Sequence, residues 1–418
     1  MIFWDMVERH FDEAEFMWGM WEHSLVAPDD TLADVAEGPE QLLLAHIDGL
    51  IANGPEVAHR LLKPALDNGV PDRVSAAALA LLQTPGTPSL DAVVVALRTL
   101  PKQRAPLTRA LACADRPEVL ERMRGLLGSL DEGLVAAAAE VLLFHHAPLG
   151  STLSVLLSGE QPATRSLGLR ALTSEGASPR AVAAVRAGLV DASPSVATAA
   201  MEVGCQLGLD IAWSHARERA AGADKEAMLL LALGGGTAEH KGLLAALSDS
   251  ARRPSALWAL GFVGTPEAVD ASLEWLNEPR SGHLAGEVFS AVTGVALASA
   301  GMTAASAEEE RLEWTLEEGL PRPNPAAVRD WWVKHREEFT PGRRYLMGRP
   351  RSVEGLLEAL AQGPMRRRPP LLLELQLRAR AVPPPRLQTR APTRRQLAEL
   401  SVLRGLMGTP FDVTRSLL

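Results

Sequence analysis

Seven arginines in the last quarter of the 418-residue chain are the residues best suited to do chemistry. They fall within 26 residues of one another, at Arg343, Arg344, Arg349, Arg351, Arg366, Arg367 and Arg368. Guanidinium groups match the geometry of carboxylates and phosphates and are enriched at protein interfaces. The cluster therefore predicts contact with anionic groups. Four interpretations stay open: a solvated basic face, pairing with acidic residues of this chain, an acidic protein partner, or a nucleic acid.

Three aromatic residues accompany this cluster. Tyr345 lies inside it, and Trp331 and Trp332 precede it in a segment, 325–339, whose pattern is typical of a helix. Adjacent residues on a helix point about 100° apart, so we expect one tryptophan to pack inward and the other to meet a neighbouring element. Together with the seven arginines, Tyr345, Trp331 and Trp332 form the predicted partner-binding set.

Other candidate residues lack the spacing that their chemistry requires. The glycines at 234–236 have neither a preceding strand nor the spacing of a phosphate-binding fingerprint, so we expect a turn between helices. His145 and His146 are neighbours that point apart on a helix, and His10 and His23 do not follow the spacing that places two imidazoles on one helix face. The sequence therefore predicts no catalytic residues, no cofactor and no metal site.

The elements that must position these residues repeat along the chain. Prolines that can begin a helix recur about every thirty residues, at Pro55, Pro88, Pro117, Pro148, Pro179 and Pro266. Asp210 and Thr237 follow turn residues at the two places where the series lacks a proline. Alanine- and leucine-rich runs, such as 74–82 and 135–143, keep the same spacing. Such a period predicts one helix pair per repeat, each packed on the next.

The repeats resemble those of the HEAT family. Residues 191–204 follow its D-x-x-P-x-V-x-x-A-A-x-x-x-G pattern, and residues 255–261 and 264–269 carry its A-L-G and G-x-P-E-A-V halves. The resemblance is to the short HEAT-like repeats also seen in phycobilin lyases, and it covers about residues 41–300. It implies an all-α fold, an α-solenoid of about eight or nine helical hairpins. Ala197 replaces the family's usual Arg, and HEAT arrays serve many functions, so the resemblance implies architecture and not activity.

Composition favours packed helices in water. Hydrophobic residues make up 47% of the chain and aromatic residues only 4%, which suits helices better than sheets. No run approaches the roughly 20 apolar residues that a membrane span requires, and the acidic residues among the first fifteen argue against a secretory signal. We therefore expect a cytoplasmic protein without membrane contact, in which Cys113 and Cys205 are reduced core residues.

Charge is divided unevenly along the chain. Residues 1–321 contain 23 Lys and Arg against 43 Asp and Glu, a net charge of −20, whereas residues 322–418 contain 19 against 8, a net charge of +11. The acidic repeats would repel a long phosphate backbone. A nucleic acid is therefore the least favoured source of anionic groups for the arginines, and a protein partner with an acidic surface is favoured over it.

Four segments are expected. They are an amphipathic N-terminal helical cap at 1–40, the repeats at 41–300, connecting helices at 301–345 that include one at 304–316, and a basic, Pro/Arg-rich C-terminal helical region at 346–418. The apolar stripe of the cap follows spacings of three and four and consists of Phe3, Trp4, Val7, Phe11, Ala14, Trp18, Trp21 and Leu25. A terminal repeat needs such a cap because it must cover its neighbour.

The function expected from these features is that of a non-enzymatic scaffold or adaptor that binds a protein partner. Residues 11–50 and the Pro-Gly-Arg-Arg-Tyr-Leu-Met-Gly-Arg-Pro motif at 341–350 resemble an uncharacterised proteobacterial HEAT-like family. Its members are often encoded beside type VI secretion genes, which implies an accessory or effector-handling role. Two alternatives stay open. One is a lyase or isomerase with a deep pocket lined by Trp213, Trp258 or Trp275, and the other is nucleic-acid binding through the basic C-terminal region.

Overall fold

The computed structural model describes residues 2–304, 319–379, 386–406, 413 and 415–418. Contacts divide the chain into two compact units. Unit 1 comprises Met1–Leu172 with Arg386–Val402, and unit 2 comprises Thr173–Pro385 with Leu403–Leu418. Part of the basic C-terminal region therefore lies in each unit. The four segment boundaries expected from the sequence stay a prediction, and most of the helix expected at 304–316 lies outside the described residues.

Helices follow one another along both units. In unit 1 they are α1 (Trp4–Ser24), α2 (Leu32–Val35), α3 (Gln41–Ala52), α4 (Pro55–Val57), α5 (Lys63–Ala65), α6 (Pro71–Gln83), α7 (Thr87–Thr99), α8 (Arg104–Cys113), α9 (Pro117–Leu126), α10 (Glu132–Phe144), α11 (Thr152–Leu157) and α12 (Pro162–Ala171). In unit 2 they are α13 (Pro179–Leu189), α14 (Pro194–Gln206), α15 (Asp210–Ala221), α16 (Lys225–Gly234), α17 (Thr237–Ala245), α18 (Arg253–Val263), α19 (Pro266–Ser272), α20 (Gly282–Thr293), α21 (Pro325–His335), α22 (Val353–Gln362) and α23 (Arg368–Ala379). The last helix is α24 (Thr393–Leu403), which belongs to unit 1 except for its final residue, Leu403.

Short irregular turns join these helices. Two π-helical stretches, Ala36–Glu40 and Ala58–Leu62, connect α2 to α3 and α4 to α5. Single 3-10 turns lie at Pro101–Gln103, Leu172–Glu175, Ala246–Ser248, Leu273–Trp275, Arg336–Glu338, Met365–Arg367 and Arg404–Leu406. Two-residue strands, β1 (Tyr345–Leu346) and β2 (Arg349–Pro350), form an antiparallel hairpin.

The helix starts confirm most of the predicted period. Pro55, Pro117, Pro179 and Pro266 are the first residues of their helices, and Pro88 is the second residue of α7. The two positions without a proline are confirmed as well, because α15 begins at Asp210 and α17 at Thr237.

The helix start predicted at Pro148 is wrong. His146 and Gly150 both have positive φ angles, 56° and 58°, which a right-handed helix excludes. The helix α11 therefore begins only at Thr152.

Packing within each unit follows the expected hairpin pattern. In unit 1, α6, α8, α10 and α12 pack in succession, and in unit 2 α14, α16, α18 and α20 do the same. Each of these helices also packs against the helix that precedes it in the chain. The alanines of α6, among them Ala76, Ala77 and Ala80, are fully buried and let helices approach closely. The chain is thus an all-α solenoid of helical hairpins.

The N-terminal helix covers the first hairpins of unit 1. α1 packs against α3 and α6, and most of the predicted stripe, from Val7 to Leu25, is buried. Phe3 is the exception, with 67% of its surface exposed, because it precedes the first helical residue, Trp4. Within the described part of the chain, each helix is too short or too polar to cross a lipid bilayer.

Candidate functional site

The seven predicted arginines do not form one surface. Arg343 and Arg349 are exposed, Arg366 is half-buried, and the other four are buried: Arg344, Arg351, Arg367 and Arg368. Arg349 pairs with the exposed Glu358 at 2.6 Å. The role of the seven in partner binding stays a prediction, and in this structure the four buried guanidinium groups point into unit 2.

A single carboxylate organises the buried arginines. Glu374 on α23 is fully buried and pairs with Arg344 at 3.3 Å, with Arg378 at 3.1 Å and with Nε and Nη2 of Arg351. Burial alone would raise the pKa of Glu374, but the three guanidinium groups outweigh it and hold that pKa below the usual value. Three guanidinium groups share this one carboxylate, so their remaining N–H donors need other hydrogen-bond acceptors.

Those acceptors are backbone carbonyls at the ends of repeat helices. Arg344 donates hydrogen bonds to Val263 O and Phe262 O, each at 2.9 Å, and to Ala232 O at 3.2 Å. Arg378 donates to Leu233 O. The last carbonyls of a helix have no partner inside it and carry partial negative charge. The arginines therefore cap the C-terminal ends of α16 and α18.

A second buried carboxylate takes the neighbouring arginines. Glu287 on α20 lies 3.1 Å from Arg366 and 3.4 Å from Arg367, and Arg367 also donates to Gly261 O at 2.7 Å. Arg368, fully buried, donates to Leu360 O at 2.6 Å. In this structure Arg344, Arg351, Arg366 and Arg367 therefore pair with acidic residues of this chain, which is one of the four interpretations.

The aromatic residues of the predicted set face inward as well. Tyr345 is buried, and its hydroxyl accepts a hydrogen bond from the backbone N–H of Thr340 at 2.9 Å. Trp332 is buried and donates to Asp270 at 2.7 Å, whereas the half-buried Trp331 contacts Phe289 of the neighbouring helix α20, with 5.2 Å between ring centres. The expected division between the two tryptophans is confirmed.

A cleft in unit 1 was not anticipated. Its volume is about 600 Å³, and it opens where α3, α6, α8 and α24 come together. Its lining comprises Trp21, Glu40, Leu43, Leu44, Asp48, Leu79, Leu82, Gln83, Thr84, Pro85, Cys113, Ala114, Asp115, Arg116, Pro392, Arg394 and Arg395. The volume lies in the range of ordinary ligand sites, and the floor is formed by leucines and one tryptophan.

The buried ionisable groups of this cleft already have structural roles. Glu40 accepts hydrogen bonds from Trp21 Nε1 at 2.8 Å and from the hydroxyl and N–H of Thr393 at 2.7 and 3.0 Å. This carboxylate thereby fixes the start of α24. Burial raises the pKa of the Cys113 thiol to about 11, so the thiol is protonated at neutral pH and is a weak nucleophile. Neither group is poised for acid–base or nucleophilic chemistry.

The exposed groups at the cleft are free of such roles. Leu44 keeps 37% of its surface exposed, and Arg394, Asp48 and Asp115 are exposed charged residues of both signs. Among the residues that the structure describes, no hydrogen bond or ion pair engages the guanidinium of Arg394. An apolar side chain with charges of both signs around it can bind a polypeptide segment that carries similar complementary groups.

Histidines and tryptophans from the alternative hypotheses lie elsewhere. His10 Nδ1 is 3.1 Å from His46 Nδ1, and across the described part of the chain no group of three or more His, Cys, Asp and Glu could hold a metal ion. The ring of Trp258 is covered by Arg366 at 4.7 Å and that of Trp275 by Arg253 at 3.6 Å. Trp213 is buried. None of these three tryptophans lines the unit 1 cleft.

Comparisons with known proteins give matches among solved structures alone. No family model matches the sequence, and no curated protein matches it. Among solved structures 35 chains match. One is an engineered protein that is 16% identical, with 87% of this chain and 98% of that chain covered and a TM-score of 0.29.

Two further solved structures match at similarly low identity. Human deoxyhypusine hydroxylase, solved in complex with glycerol, is 19% identical over 66% of this chain and 94% of that chain, with a TM-score of 0.19. A chain from a Kap95p–RanGDP complex is 13% identical over 97% of this chain and 62% of that chain, with a TM-score of 0.33. These likenesses are too low to support an inference, so the fold rests on the chain's own contacts.

Proposed function

We propose that this protein is a non-enzymatic scaffold that binds a segment of a protein partner in the unit 1 cleft. The observation that carries the proposal is the difference between the buried and the exposed residues of the cleft. The buried Glu40 and Cys113 serve the fold, whereas Leu44 and Arg394 are exposed at the opening and available for contact. Binding uses such groups without any need for a nucleophile or a base.

The charges at the opening favour a polypeptide over a nucleic acid. Asp48 and Asp115 are exposed carboxylates at the same cleft as Arg394. Carboxylates repel a phosphate backbone, whereas a polypeptide can present lysine, arginine, aspartate or glutamate as each position requires. Covering the 37% of Leu44 that is exposed with an apolar partner side chain is worth about 1 kcal/mol, so Leu44 is the expected apolar contact.

Photo-crosslinking from the cleft tests this proposal. A photoreactive phenylalanine analogue replaces Leu44 in the full chain inside the cell that produces it. Leu42, on the same helix, 51% exposed and outside the cleft lining, provides the matched control. We expect irradiation to attach one defined polypeptide segment at position 44 and none at position 42, and we expect Arg394→Glu to lower the yield.

The other outcomes are equally informative. Equal adducts at positions 42 and 44, or none at either, would contradict the proposal. An adduct with the mass of a small molecule at position 44 alone would instead support the second candidate function, which the cleft volume of about 600 Å³ favours. That candidate is a protein that cradles a small ligand, as the lyase or isomerase hypothesis requires.

Type VI secretion components are the first partners to examine. The proposal of an accessory or effector-handling adaptor depends on the resemblance of residues 11–50 and 341–350 to a family encoded beside such genes. A type VI component identified at position 44 supports this refinement, whereas an unrelated protein there leaves the scaffold and removes the refinement. Contact of an acidic partner with the exposed Arg343 and Arg349 stays a separate prediction.

A further inference from the structure

A shallow groove on the outer side of α1 exposes two large apolar residues. Phe16 is 62% exposed and Met20 is 44% exposed, one helical turn apart. The groove measures about 450 Å³ and is lined by Asp12, Glu15, Phe16, Gly19, Met20 and Asp72. It shares no lining residue with the unit 1 cleft. Phe16 and Met20 are not needed for the core, because the opposite face of α1 supplies Phe11, Trp18 and Trp21 to it.

Gly19 lies beneath the carboxylate of Asp72. A Cβ atom at position 19 would stand only 3.0 Å from Asp72 Oδ2, so an alanine would push this carboxylate outward. Glycine in the middle of a helix costs stability relative to alanine. Its presence here lets the Asp72 carboxylate lie close to the backbone of α1, beside Phe16 and Met20.

The groove carries more negative charge than its own cation neutralises. Arg73 is shared between Asp12 at 2.9 Å and Glu15 at 2.6 Å. Asp72 has no hydrogen-bond or ion-pair partner among the residues that the structure describes. Burial, followed by the negative charges of Glu22 and Glu15, raises the pKa of Asp72. A cation placed beside Asp72 would relieve this repulsion.

Exposed carboxylates outnumber exposed arginines on α1. Arg9 is exposed two turns before Phe16, on the same helix as the exposed Asp5, Glu8 and Asp12. The surroundings of the apolar pair are therefore acidic. An anionic membrane surface would be repelled by them, and a basic partner attracted.

We propose that this groove binds a basic amphipathic helix of a protein partner, with an apolar side chain of that helix packed on Phe16 and Met20 and a lysine or arginine paired with Asp72. Amphipathic helices dock in apolar grooves through residues on one face, and methionine adapts to the shape of such a partner. The surface stands apart from the unit 1 cleft, so it does not depend on the function proposed there.

Binding of a synthetic peptide tests this inference. The probe is a fluorescein-labelled, 18-residue (roughly five-turn) helical peptide of leucine and lysine with a single apolar face, titrated with the full chain and followed by fluorescence anisotropy. We expect Phe16→Ala to weaken binding about tenfold, as truncation of an interface anchor does. Phe3→Ala is the matched control, because Phe3, just before α1, is similarly exposed but lies outside the groove, and we expect no change from it.

Two further variants separate binding from folding and charge from shape. Gly19→Ala should preserve or raise the thermal midpoint, because alanine favours the helix, and still weaken binding, because its Cβ atom would displace the carboxylate of Asp72. Asp72→Asn should weaken binding and reduce its dependence on salt, whereas Asp5→Asn on the same helix should do neither.

Three results would overturn the inference. The first is equal affinity for the Phe16→Ala, Gly19→Ala and Phe3→Ala proteins, which would mean non-specific attraction to an acidic protein. The second is equal binding of a peptide with glutamate in place of lysine. The third is binding of anionic phosphatidylserine vesicles that is lost with Phe16→Ala, which would make the groove a membrane contact.

Discussion

In each unit, an arginine from the C-terminal part of the chain caps the end of a repeat helix, beside a buried histidine. In unit 1, Arg395 donates to Ala112 O at 3.0 Å, at the end of α8. In unit 2, Arg344 donates to Ala232 O at 3.2 Å, at the end of α16. A histidine ring faces each of these carbonyls, and burial and the neighbouring arginine lower its pKa to about 4, at His145 in unit 1 and at His240 in unit 2.

The two helix ends differ in how much of the charge is used up. Arg344 is buried and shares Glu374 with two other arginines. Arg395 is only half-buried, and its neighbour Arg394 is exposed at an open cleft. The comparison shows that arginines which are numerous in the sequence, as in the cluster at 343–368, can be buried and structural. At 394–395, where fewer arginines occur, one of them is exposed at the cleft.

Glu374→Gln should have the largest effect on this comparison. The substitution leaves three buried guanidinium groups without their carboxylate, and breaking a buried ion pair in this way costs about 3–5 kcal/mol. Urea denaturation should show that loss in the free energy of unfolding. Glu358→Gln, on the exposed partner of Arg349, should cost less than about 1 kcal/mol. Similar losses for both variants would contradict the role assigned to Glu374.

Acid should weaken the capping of α8 and of α16 to a similar extent. The pKa of His240 is about 4 in the fold against an ordinary value of 6.5, so between these pH values the unfolded chain binds a proton that the folded chain excludes. The free energy of unfolding therefore falls as the pH drops from 6.5 towards 4, by on the order of 2 kcal/mol for His240. Burial lowers the pKa of His145 to about 4 as well, so we expect a similar contribution from it.

Replacing these histidines measures each contribution. His240→Gln should flatten the pH dependence of the unfolding free energy in that window, and His145→Gln should flatten it to a similar extent. The unsubstituted protein, unfolded at the same pH values, provides the reference slope. An unaltered slope in the His240→Gln protein would remove this ring from the account.

Arg395→Met should have a smaller effect on stability. Arg395 donates to Ala112 O and Ala114 O, and its guanidinium lies 5.4 Å from the ring of Phe144. Loss of these contacts should lower the unfolding free energy by about 1–2 kcal/mol. Arg394→Met, at the exposed neighbour, should change it by less than about 0.5 kcal/mol. Equal changes would mean that Arg395 does not cap α8.

Local signals in the sequence predict the helices well. Prolines, and the turns before Asp210 and Thr237, mark helix starts because their backbone preferences act within a few residues. Pro148 fails because His146 and Gly150 take positive φ angles, which follows from the packing of the surrounding turn and not from proline. The resemblance to HEAT repeats at 191–204 and 264–269 agrees with helices α13–α14 and α18–α19.

The unit 1 cleft could not be predicted in this way. Its walls come from residues far apart in the chain, and Glu40 contacts Thr393 across 353 residues. Burial of the arginines depends on equally distant carbonyls. One local signal was available, since Glu374 is the only charged residue in the apolar run Leu371-Leu372-Leu373-Glu374-Leu375. A lone acid within a buried face indicates a paired cation.

The most direct test of the account compares Arg344→Met with Arg349→Met in the full chain. Both arginines belong to the predicted cluster, but Arg344 caps α16 and α18 whereas Arg349 is exposed. Urea denaturation should show a loss of about 2–3 kcal/mol in the unfolding free energy for Arg344→Met and less than about 0.5 kcal/mol for Arg349→Met. Equal and small losses would contradict the claim that the buried arginines hold unit 2 together.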